Sequence, residues 1–496
     1  MNSLSSPLSL RHHSRLVLAS ILTLAIASIS GCGGSGSGGG GAGTTLSGNT
    51  AVTVLASSTA NDQLSGFNVD ITGITLTSRS GKTVNLLTAP LYPEFIHLNG
   101  IVEPLATVSI PQDTYTSATV TVGSAEFSAM TFNASIDKPE TSTYQDMGVA
   151  SVTTNLPAPI TITGTSMGLS LNLVVSQSVS FGGSNGNLPG TFSIAPTFDL
   201  TPVTIAAQPT NSANGKTTGM YGVVGSVDPN GTSFSVAGAD GSSLSGPSWQ
   251  VSSNGKTVFQ GVSGVSQLAA GMPVDMDAAI QADGSLLATR IAVNDANTAD
   301  LNIFSGPVGL VEASSPVVDM LGQEQQGYLN ADAYYIGFMS FTYSESVFQT
   351  SGALANLQSL PFTASFNAAN MVAGQNVSVT THVPSIISGS PAVATITLMP
   401  QTLNGTVTAV SSAGSFTAYT VALAPYNLFP VFAVQPNQTT LLTNPGTIVV
   451  YVDGNTQKLN TNALAAGSNL RFYGLVFNDH GTLRMDCAQI NDGVTE

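Results

Sequence analysis

One short motif in the chain has the residue types of a serine nucleophile. The segment Gly164-Thr165-Ser166-Met167-Gly168 fits the pattern that exposes a catalytic serine on a sharp turn between a parallel strand and a helix. Such a serine also needs a histidine base. Alternating, strand-like sequence lies on both sides of this motif and predicts a hairpin turn of small residues. We therefore do not assign Ser166 as a nucleophile, and we predict no catalytic residue.

The residues that could bind a metal are scattered. Outside the first 31 residues the chain has three histidines, His97, His382 and His480. Zinc sites use clustered pairs, so these histidines do not predict one, and His97 between Ile96 and Leu98 is interpreted as a strand residue. The spacing of Asp295, Asn297 and Asp300 resembles part of a calcium loop, but neither the turn glycine nor the distal glutamate follows. A linker is the simpler interpretation, and no metal or cofactor is predicted.

Aromatic residues cluster in the second half of the chain and could stack on sugar rings. They are Tyr334, Tyr335, Phe338, Phe341, Tyr343 and Phe348. Their positions fall on both faces of a strand, which is typical of a buried core strand. Trp249 is the only tryptophan. The pattern favours core packing, and a glycan site is the alternative.

The chain has two cysteines, Cys32 and Cys487. Cys32 follows a segment with the three parts of a secretory signal: a basic start that includes Arg11 and Arg15, an apolar run over 16–29, and small residues. The apolar run is shorter than the about 20 residues that a spanning helix needs. We therefore expect residues 1–31 to be a cleaved signal, and Cys487 to be a buried thiol in a strand over 483–490.

The end of this signal resembles the lipobox of bacterial lipoproteins, with Ile29, Ser30 and Gly31 before Cys32. The resemblance implies a diacylglyceryl thioether on Cys32, cleavage before it and a membrane anchor. An ordinary secretory signal is the alternative. Residues 33–41 are all Gly or Ser and read as a flexible spacer. Gly33 is not the Asp that retains lipoproteins at the inner membrane of enteric bacteria, so the outer membrane is favoured.

The charge of the chain argues against nucleic acid as a partner, and its composition argues against disorder. The formal net charge is −16, and removal of residues 1–31 leaves nine basic against 27 acidic residues. Nucleic acid is not an expected partner, because phosphate binding needs clustered Lys and Arg. Hydrophobic residues make up 42% of the chain, and charged residues only 8%. This balance predicts a folded protein.

The region after residue 50 alternates with period two and is punctuated by Gly, Asn, Asp and Pro, which predicts strands and turns. Over 51–206 the simplest arrangement is an antiparallel β-sandwich. Here Phe67 to Ile71, Ile96 to Leu98, and Ile110-Pro111 followed by Tyr115 resemble the family catalogued as domain of unknown function 4382, a β-sandwich module of bacterial lipoproteins. The chain has Gln112-Asp113-Thr114 where that family usually has a glycine.

Three later segments share one plan. Each has a strand, a turn, a second strand and a variable middle, and then a short turn that ends in glycine before the last two strands. The turns are Leu268-Ala269-Ala270-Gly271, Met371-Val372-Ala373-Gly374 and Leu464-Ala465-Ala466-Gly467. We expect each to be a helical turn closed by a glycine with positive φ, and each repeat to be a small closed barrel. The repeats resemble the OB-like family catalogued as domain of unknown function 5666.

The sequence thus predicts an all-β protein with six parts. They are a signal peptide (1–31), a Gly/Ser tether (32–50), a β-sandwich (51–206) and three OB-like β-barrel repeats (217–299, 303–400 and 401–496). The expected function is that of a lipid-anchored cell-envelope protein, a non-catalytic binding or structural module with an envelope protein or a glycan as ligand. The alternatives are a secreted hydrolase whose carboxylates meet only in the fold, and a carbohydrate-binding surface protein.

Overall fold

A computed structural model describes most of the chain after residue 45. The described residues are 46–59, 64–133, 138–146, 150–154, 156, 158–185, 188–203, 216–238, 248–281, 283–293, 302–312, 315–327, 337–343, 346–351, 357–381, 393–424, 427–432, 442–458 and 464–492. Cys32 and the three candidate calcium ligands Asp295, Asn297 and Asp300 lie outside them. The segment from Leu46 to Glu496 forms one compact unit.

Strands dominate the described residues, so the all-β prediction is confirmed. The sandwich module contains a one-turn helix, α1 (Val175–Ser178), and twelve strands: β1 Asn49–Ser58, β2 Leu64–Ser78, β3 Thr83–Asn85, β4 Glu103–Pro111, β5 Thr114–Asn133, β6 Lys138–Asp146, β7 Ala150–Thr154, β8 Ile160–Thr161, β9 Ser166–Leu173, β10 Val179–Asn185, β11 Leu188–Ile194 and β12 Phe198–Val203.

Two sheets of this module enclose a common core. One has the strand order β12-β9-β1-β4, and the other has the order β3-β2-β5-β6, with β7 and β8 also paired to β5. Val52 and Val54 of the first sheet and Val69 and Ile71 of the second are fully buried in the same cluster. Burial of each such side chain contributes about 1.5–3 kcal/mol, so the alternation of β1 and β2 determines which face of each sheet turns inward.

Two details of the sandwich differ from the expectation. Strand β1 runs parallel to β9, with Ala51 level with Ser166, whereas β1 is antiparallel to β4. The turn at Gly164, which has φ 78°, is not a hairpin, because it joins β8 in one sheet to β9 in the other. Strand β9 ends at Leu173, and the helix α1 follows it.

Three sheets with related topology follow. Repeat 1 contains β13 Lys216–Val227, β14 Ser233–Gly238, β15 Ser248–Ser252, β16 Val258–Gln260, β17 Pro273–Ile280 and β18 Leu286–Val293, and a 3-10 turn at Val265–Gln267. Repeat 2 contains β19 Asn302–Val311, β20 Val317–Gly322, β21 Glu324–Gly327, β22 Gly337–Thr342, β23 Val347–Thr350, β24 Asn376–Thr381 and β25 Val393–Leu398, and a 3-10 turn at Leu357–Ser359. Repeat 3 contains β26 Gln401–Ala413, β27 Phe416–Leu423, β28 Thr447–Val452, β29 Gln457–Lys458, β30 Asn469–Asp479 and β31 Thr482–Asp492, and helix α2 (Leu428–Phe432).

Repeats 1 and 3 are closed in the same way. Their strand orders are β15-β14-β13-β17-β18-β16 and β28-β27-β26-β30-β31-β29. In addition, β15 pairs with β18 and β28 pairs with β31, both in parallel. The described strands of repeat 2 have the equivalent order β22-β20-β19-β24-β25-β23. A barrel closed by this pairing leaves few unpaired strand edges. The prediction of small OB-like barrels is therefore confirmed.

The repeated glycine turn has the same geometry in all three barrels. Gly271, Gly374 and Gly467 have φ values of 87°, 96° and 90°. Each donates its N–H to a carbonyl of the first barrel strand, that of Val224, Val308 or Val407, at 2.7 Å. The turn is a single four-residue turn rather than a helical one, because the next residue bonds back to the residue three before it, as Met272 does to Ala269 at 3.1 Å.

The modules share hydrophobic cores across their boundaries. Leu475 and Phe477 of β30 are fully buried in the core of repeat 2, although β30 belongs to repeat 3. Tyr473, on the same strand, packs in the core of the sandwich. Leu55 of β1 packs in the core of repeat 1. The sandwich and the three barrels therefore form one compact body and are not four independent domains.

We expect Gly374→Ala to destabilise the protein more than Gly467→Ala. Both replacements strain a positive φ, at a cost of about 1–3 kcal/mol. A Cβ at position 374 would also lie 2.7 Å from Cδ1 of Phe429, whereas a Cβ at position 467 meets nothing within 4 Å. Urea unfolding of both variants measures the difference, which we expect to be about 1–3 kcal/mol. Equal losses of stability would show that the contact with Phe429 contributes nothing.

Candidate functional site

A cavity of about 130 Å³ lies where the sandwich meets repeats 2 and 3. Its apolar wall includes Leu64, Ile101 and Leu428. The polar side chains in the wall are amides, hydroxyls and one imidazole, and they come from all three modules: Ser65, His97, Asn99, Ser305, Gln323, Asn376, Gln401, Thr402, Asn427 and Tyr473. A mixed wall of this kind suits a small uncharged group with both polar and apolar parts.

Hydrogen bonds between modules hold the walls of this cavity in place. Gln323 Nε2 donates to the carbonyl of Ser65 at 2.5 Å, and Thr402 Oγ1 donates to the carbonyl of Asn99 at 2.6 Å. Gln489 Nε2 donates to the carbonyl of Gly100 at 2.7 Å. Because these bonds join the sandwich to repeats 2 and 3, the shape of the cavity is set by the docking of the modules.

His97 lies at the edge of the cavity, between two carboxylates. Its Nδ1 is 2.9 Å from Glu94 Oε2, and its Nε2 is 3.5 Å from Glu103 Oε1. The buried carboxylate of Glu94 also accepts the backbone N–H groups of Phe67, Ile96 and His97 at 2.7–2.8 Å. His97 therefore lies in a turn capped by Glu94, and the interpretation of His97 as a strand residue is wrong.

This arrangement orients the imidazole but does not form a catalytic triad. A general base must direct one ring nitrogen at the proton that it removes, and here both ring nitrogens face carboxylates. Glu94 and Glu103 are not among the residues that line the cavity. The cluster therefore suits a positioning role at the module junction.

A second group of buried charges lies at the junction of repeats 1 and 2. Arg290 Nη2 is 3.0 Å from Asp275 Oδ1, and Arg290 Nε is 2.8 Å from Asp277 Oδ2. Asp275 is 0% exposed, and its Oδ2 accepts a hydrogen bond from Ser351 of repeat 2 at 2.6 Å. Burial alone would lower the pKa of Arg290, but the carboxylates of Asp275 and Asp277 outweigh it and raise the pKa.

Tyr473 connects this ion group to the cavity. The tyrosine lines the cavity, and its pKa is raised first by burial and then by the negative charges of Asp275, Asp277 and Glu103. The residues that form the junction, Glu94, Glu103, Arg290 and Tyr473, did not stand out in the sequence. The run from Phe472 to Phe477 is continuously apolar and does not alternate. This run is the feature of the sequence that indicates two buried faces for strand β30.

The other candidates from the sequence lie away from the cavity. Ser166 begins strand β9. His480 is exposed in a turn and contacts Asp479, and His382 lies outside the described residues. Cys487 is buried in β31 as expected, and burial raises the pKa of its thiol. Among the described residues no three His, Cys, Asp or Glu side chains are grouped to hold a metal ion.

The aromatic residues of repeat 2 are distributed between the core and the part of the chain that is not described. Phe341 and Tyr343 are buried in the core, where Phe341 packs on Phe304 with ring centroids 5.4 Å apart. Trp249 is likewise buried, in the core of repeat 1. Tyr334, Tyr335 and the side chain of Phe338 lie outside the described residues. The rings that are described therefore favour core packing.

One carboxyl outside the junction has a markedly perturbed pKa. Burial, followed by the charge of Asp453, raises the pKa of Asp486 to about 6. Asp486 lies on β31 opposite Leu475, on the face that turns towards repeat 2. Its surroundings belong to the contact between barrels and not to the cavity.

A comparison with known families matches residues 221–292 to a domain of unknown function (DUF5666). The match runs from β13 into β18 and includes Asp275, Asp277 and Arg290. It supports the resemblance for repeat 1, and repeats 2 and 3 share its topology. No curated protein matches the chain. Across the described residues, no helix is both long enough and apolar enough to cross a membrane.

We expect Arg290→Met to destabilise the protein by about 3–5 kcal/mol, because it leaves the buried Asp275 without its cation. The double variant Asp275→Asn/Arg290→Met should recover a large part of this loss. Denaturant unfolding of wild type, both single variants and the double variant measures the coupling, which we expect to exceed about 1 kcal/mol. Strictly additive effects would show that the pair does not act as a unit.

Proposed function

We propose that the protein is a cell-envelope lipoprotein in which a lipid on Cys32 holds a non-catalytic binding or structural body at the membrane surface. The observation that carries this proposal is the order of three features along the chain. A lipobox-like sequence ends at Cys32, residues 33–41 are all Gly or Ser, and a compact unit starts at Leu46. A second acyl chain would make the anchoring stable, since one chain binds a membrane only marginally.

The tether determines how far the body can stand from the membrane. Strand β1 begins at Asn49, so residues 33–48 separate the proposed anchor from the first strand. At about 3.3–3.6 Å per residue a fully extended tether reaches no more than roughly 60 Å, and a flexible one is far shorter on average. We propose the outer membrane as the location. The proposal also includes the division of the chain into six parts: 1–31, 32–50, 51–206, 217–299, 303–400 and 401–496.

The junction cavity is the ligand site that we propose for this body. Its volume admits one small group, such as a substituent of an envelope glycan or a side chain of an envelope protein. The carboxylates of Glu94 and Glu103 are directed at His97 rather than into the cavity, which favours binding over hydrolysis. Nucleic acid is not among the proposed partners, because the mature chain is strongly acidic.

The sandwich carries one contact that supports the resemblance to domain of unknown function 4382. Tyr115 is buried, and its hydroxyl donates a hydrogen bond to the carbonyl of Pro111 at 2.9 Å. These two residues belong to the motif on which the resemblance rests, and the bond fixes the turn between β4 and β5. Membership of that family remains part of the proposal.

Mass spectrometry of the mature amino terminus tests the anchor. We expect the wild-type protein from membranes to begin at Cys32 with the mass of a diacylglyceryl group, and usually of a further acyl chain. The control variant Cys32→Ser should carry no lipid and should leave the membrane fraction after high-salt washing. A wild-type protein that is soluble and carries no lipid would contradict the proposal.

A further inference from the structure

A row of oxygen-bearing side chains lies on the face of the β2–β5 sheet that is turned away from the sandwich core. We call this row the oxygen cluster, and it contains Asn68, Asp70, Tyr92, Ser124 and Glu126. Asn68 and Asp70 lie on β2, and Ser124 and Glu126 lie on the neighbouring strand β5. Tyr92 follows Leu91, which pairs with Ile71 on the other edge of β2 through hydrogen bonds of 2.7 and 3.0 Å. Three adjacent chain segments therefore contribute to one row.

The register of β2 and β5 brings the two central side chains together. Asn68 is directly opposite Glu126. Phe67, Val69 and Phe127 are fully buried in the sandwich core. Side chains alternate between the two faces of a strand, so Asn68, Asp70 and Glu126 all point to the opposite face.

A local irregularity makes room for the carboxylate of Asp70. The register shifts between Val69 and Ile71, so that Gly123 and Ser124 together oppose Asp70. A Cβ on Gly123 would lie only 2.1 Å from Asp70 Oδ2, which shows that this carboxylate lies directly over the glycine. A bulge of this kind commonly re-aims a side chain at a site.

The hydroxyl of Tyr92 also belongs to this cluster and hydrogen-bonds to Ser124 and Glu126 of β5. Carboxylates that are partly withdrawn from water are stable when they are paired or when they coordinate a metal.

Asn68 is the independent observation that points to a ligand. It is 1% exposed, and within the described structure neither its Oδ1 nor its Nδ2 has a hydrogen-bond partner. A buried amide of this kind is costly, and an ion is one of the partners that explain it. Its place opposite Glu126 and two residues before Asp70 puts the amide on the same face of the sheet as these two carboxylates.

We propose that Asn68, Asp70 and Glu126 bind a divalent cation through oxygen atoms, with Ca²⁺ preferred over Mg²⁺. Ca²⁺ accepts mixed carboxylate, amide, hydroxyl and water ligands in irregular geometry, whereas Mg²⁺ requires a near-ideal octahedron. The site uses two carboxylates and neutral oxygens, and so it differs from a cluster of three or more acidic or histidine side chains. With only two charged ligands we expect a dissociation constant of about 10⁻⁴–10⁻³ M, as in extracellular modules. This site does not depend on the lipid anchor.

Calorimetric titration of the purified full chain with CaCl₂, supported by tyrosine-sensitised Tb³⁺ luminescence, tests the site. We expect Asp70→Asn and Glu126→Gln each to weaken Ca²⁺ binding at least about tenfold, since each removes one of two charged ligands. Asn68→Asp should tighten binding about tenfold because it adds a third carboxylate. The control Asp199→Asn, on strand β12 of the other sheet, should bind Ca²⁺ like the wild type.

Thermal unfolding separates a binding defect from a folding defect. Ca²⁺ should raise the Tm of the wild type and of Asp199→Asn, and it should raise the Tm of Asp70→Asn and Glu126→Gln much less. If Asn68→Asp does not fold without Ca²⁺, its recovery on addition of Ca²⁺ supports the site equally. No binding by the wild type up to 10 mM CaCl₂, or equal binding by wild type, Asp70→Asn and Glu126→Gln, would overturn the proposal.

Discussion

Strand β30 is buried on both faces, and the arrangement of the modules depends on this double burial. Leu470, Phe472 and Val476 fill the core of repeat 3, while Leu475 and Phe477 complete the core of repeat 2. Replacement of a buried phenylalanine such as Phe477 by alanine costs about 3–5 kcal/mol. Repeat 2 therefore has a complete core only when repeat 3 is docked against it.

Polar groups then determine how the docked modules are oriented. Asp275 is neutralised by Arg290 within repeat 1, and it also accepts a hydrogen bond from Ser351 of repeat 2. A buried charge that loses its partner is costly, so the Asp275–Arg290 pair and the hydrogen bond from Ser351 favour one arrangement of repeats 1 and 2. The junction cavity depends on other polar contacts, because hydrogen bonds from Gln323, Thr402 and Gln489 hold the sandwich against repeats 2 and 3. Ligand binding in this cavity would accordingly report on how the whole body is assembled.

The local structure could be predicted from the sequence much better than the assembly could. The turns that end in Gly271, Gly374 and Gly467 were predictable because a positive φ leaves a glycine at a fixed place in each repeat. The parallel pairing of β1 with β9 was not, because its partners are more than 100 residues apart and no local pattern encodes which strand pairs with which. Alternation likewise shows that Tyr473 faces away from its own barrel, but not that it packs in the sandwich core. Glu94 and Asn68 were missed because single polar residues in strand-like sequence carry no signal of burial.

Differential scanning calorimetry of the full chain tests most directly whether the modules form one body. Shared cores predict one cooperative transition, with a calorimetric enthalpy close to the van't Hoff enthalpy. The variant Phe477→Ala should lower the Tm of this transition as a whole and leave it single. Separate transitions for the sandwich and the barrels, with Phe477→Ala shifting only one of them, would contradict the account.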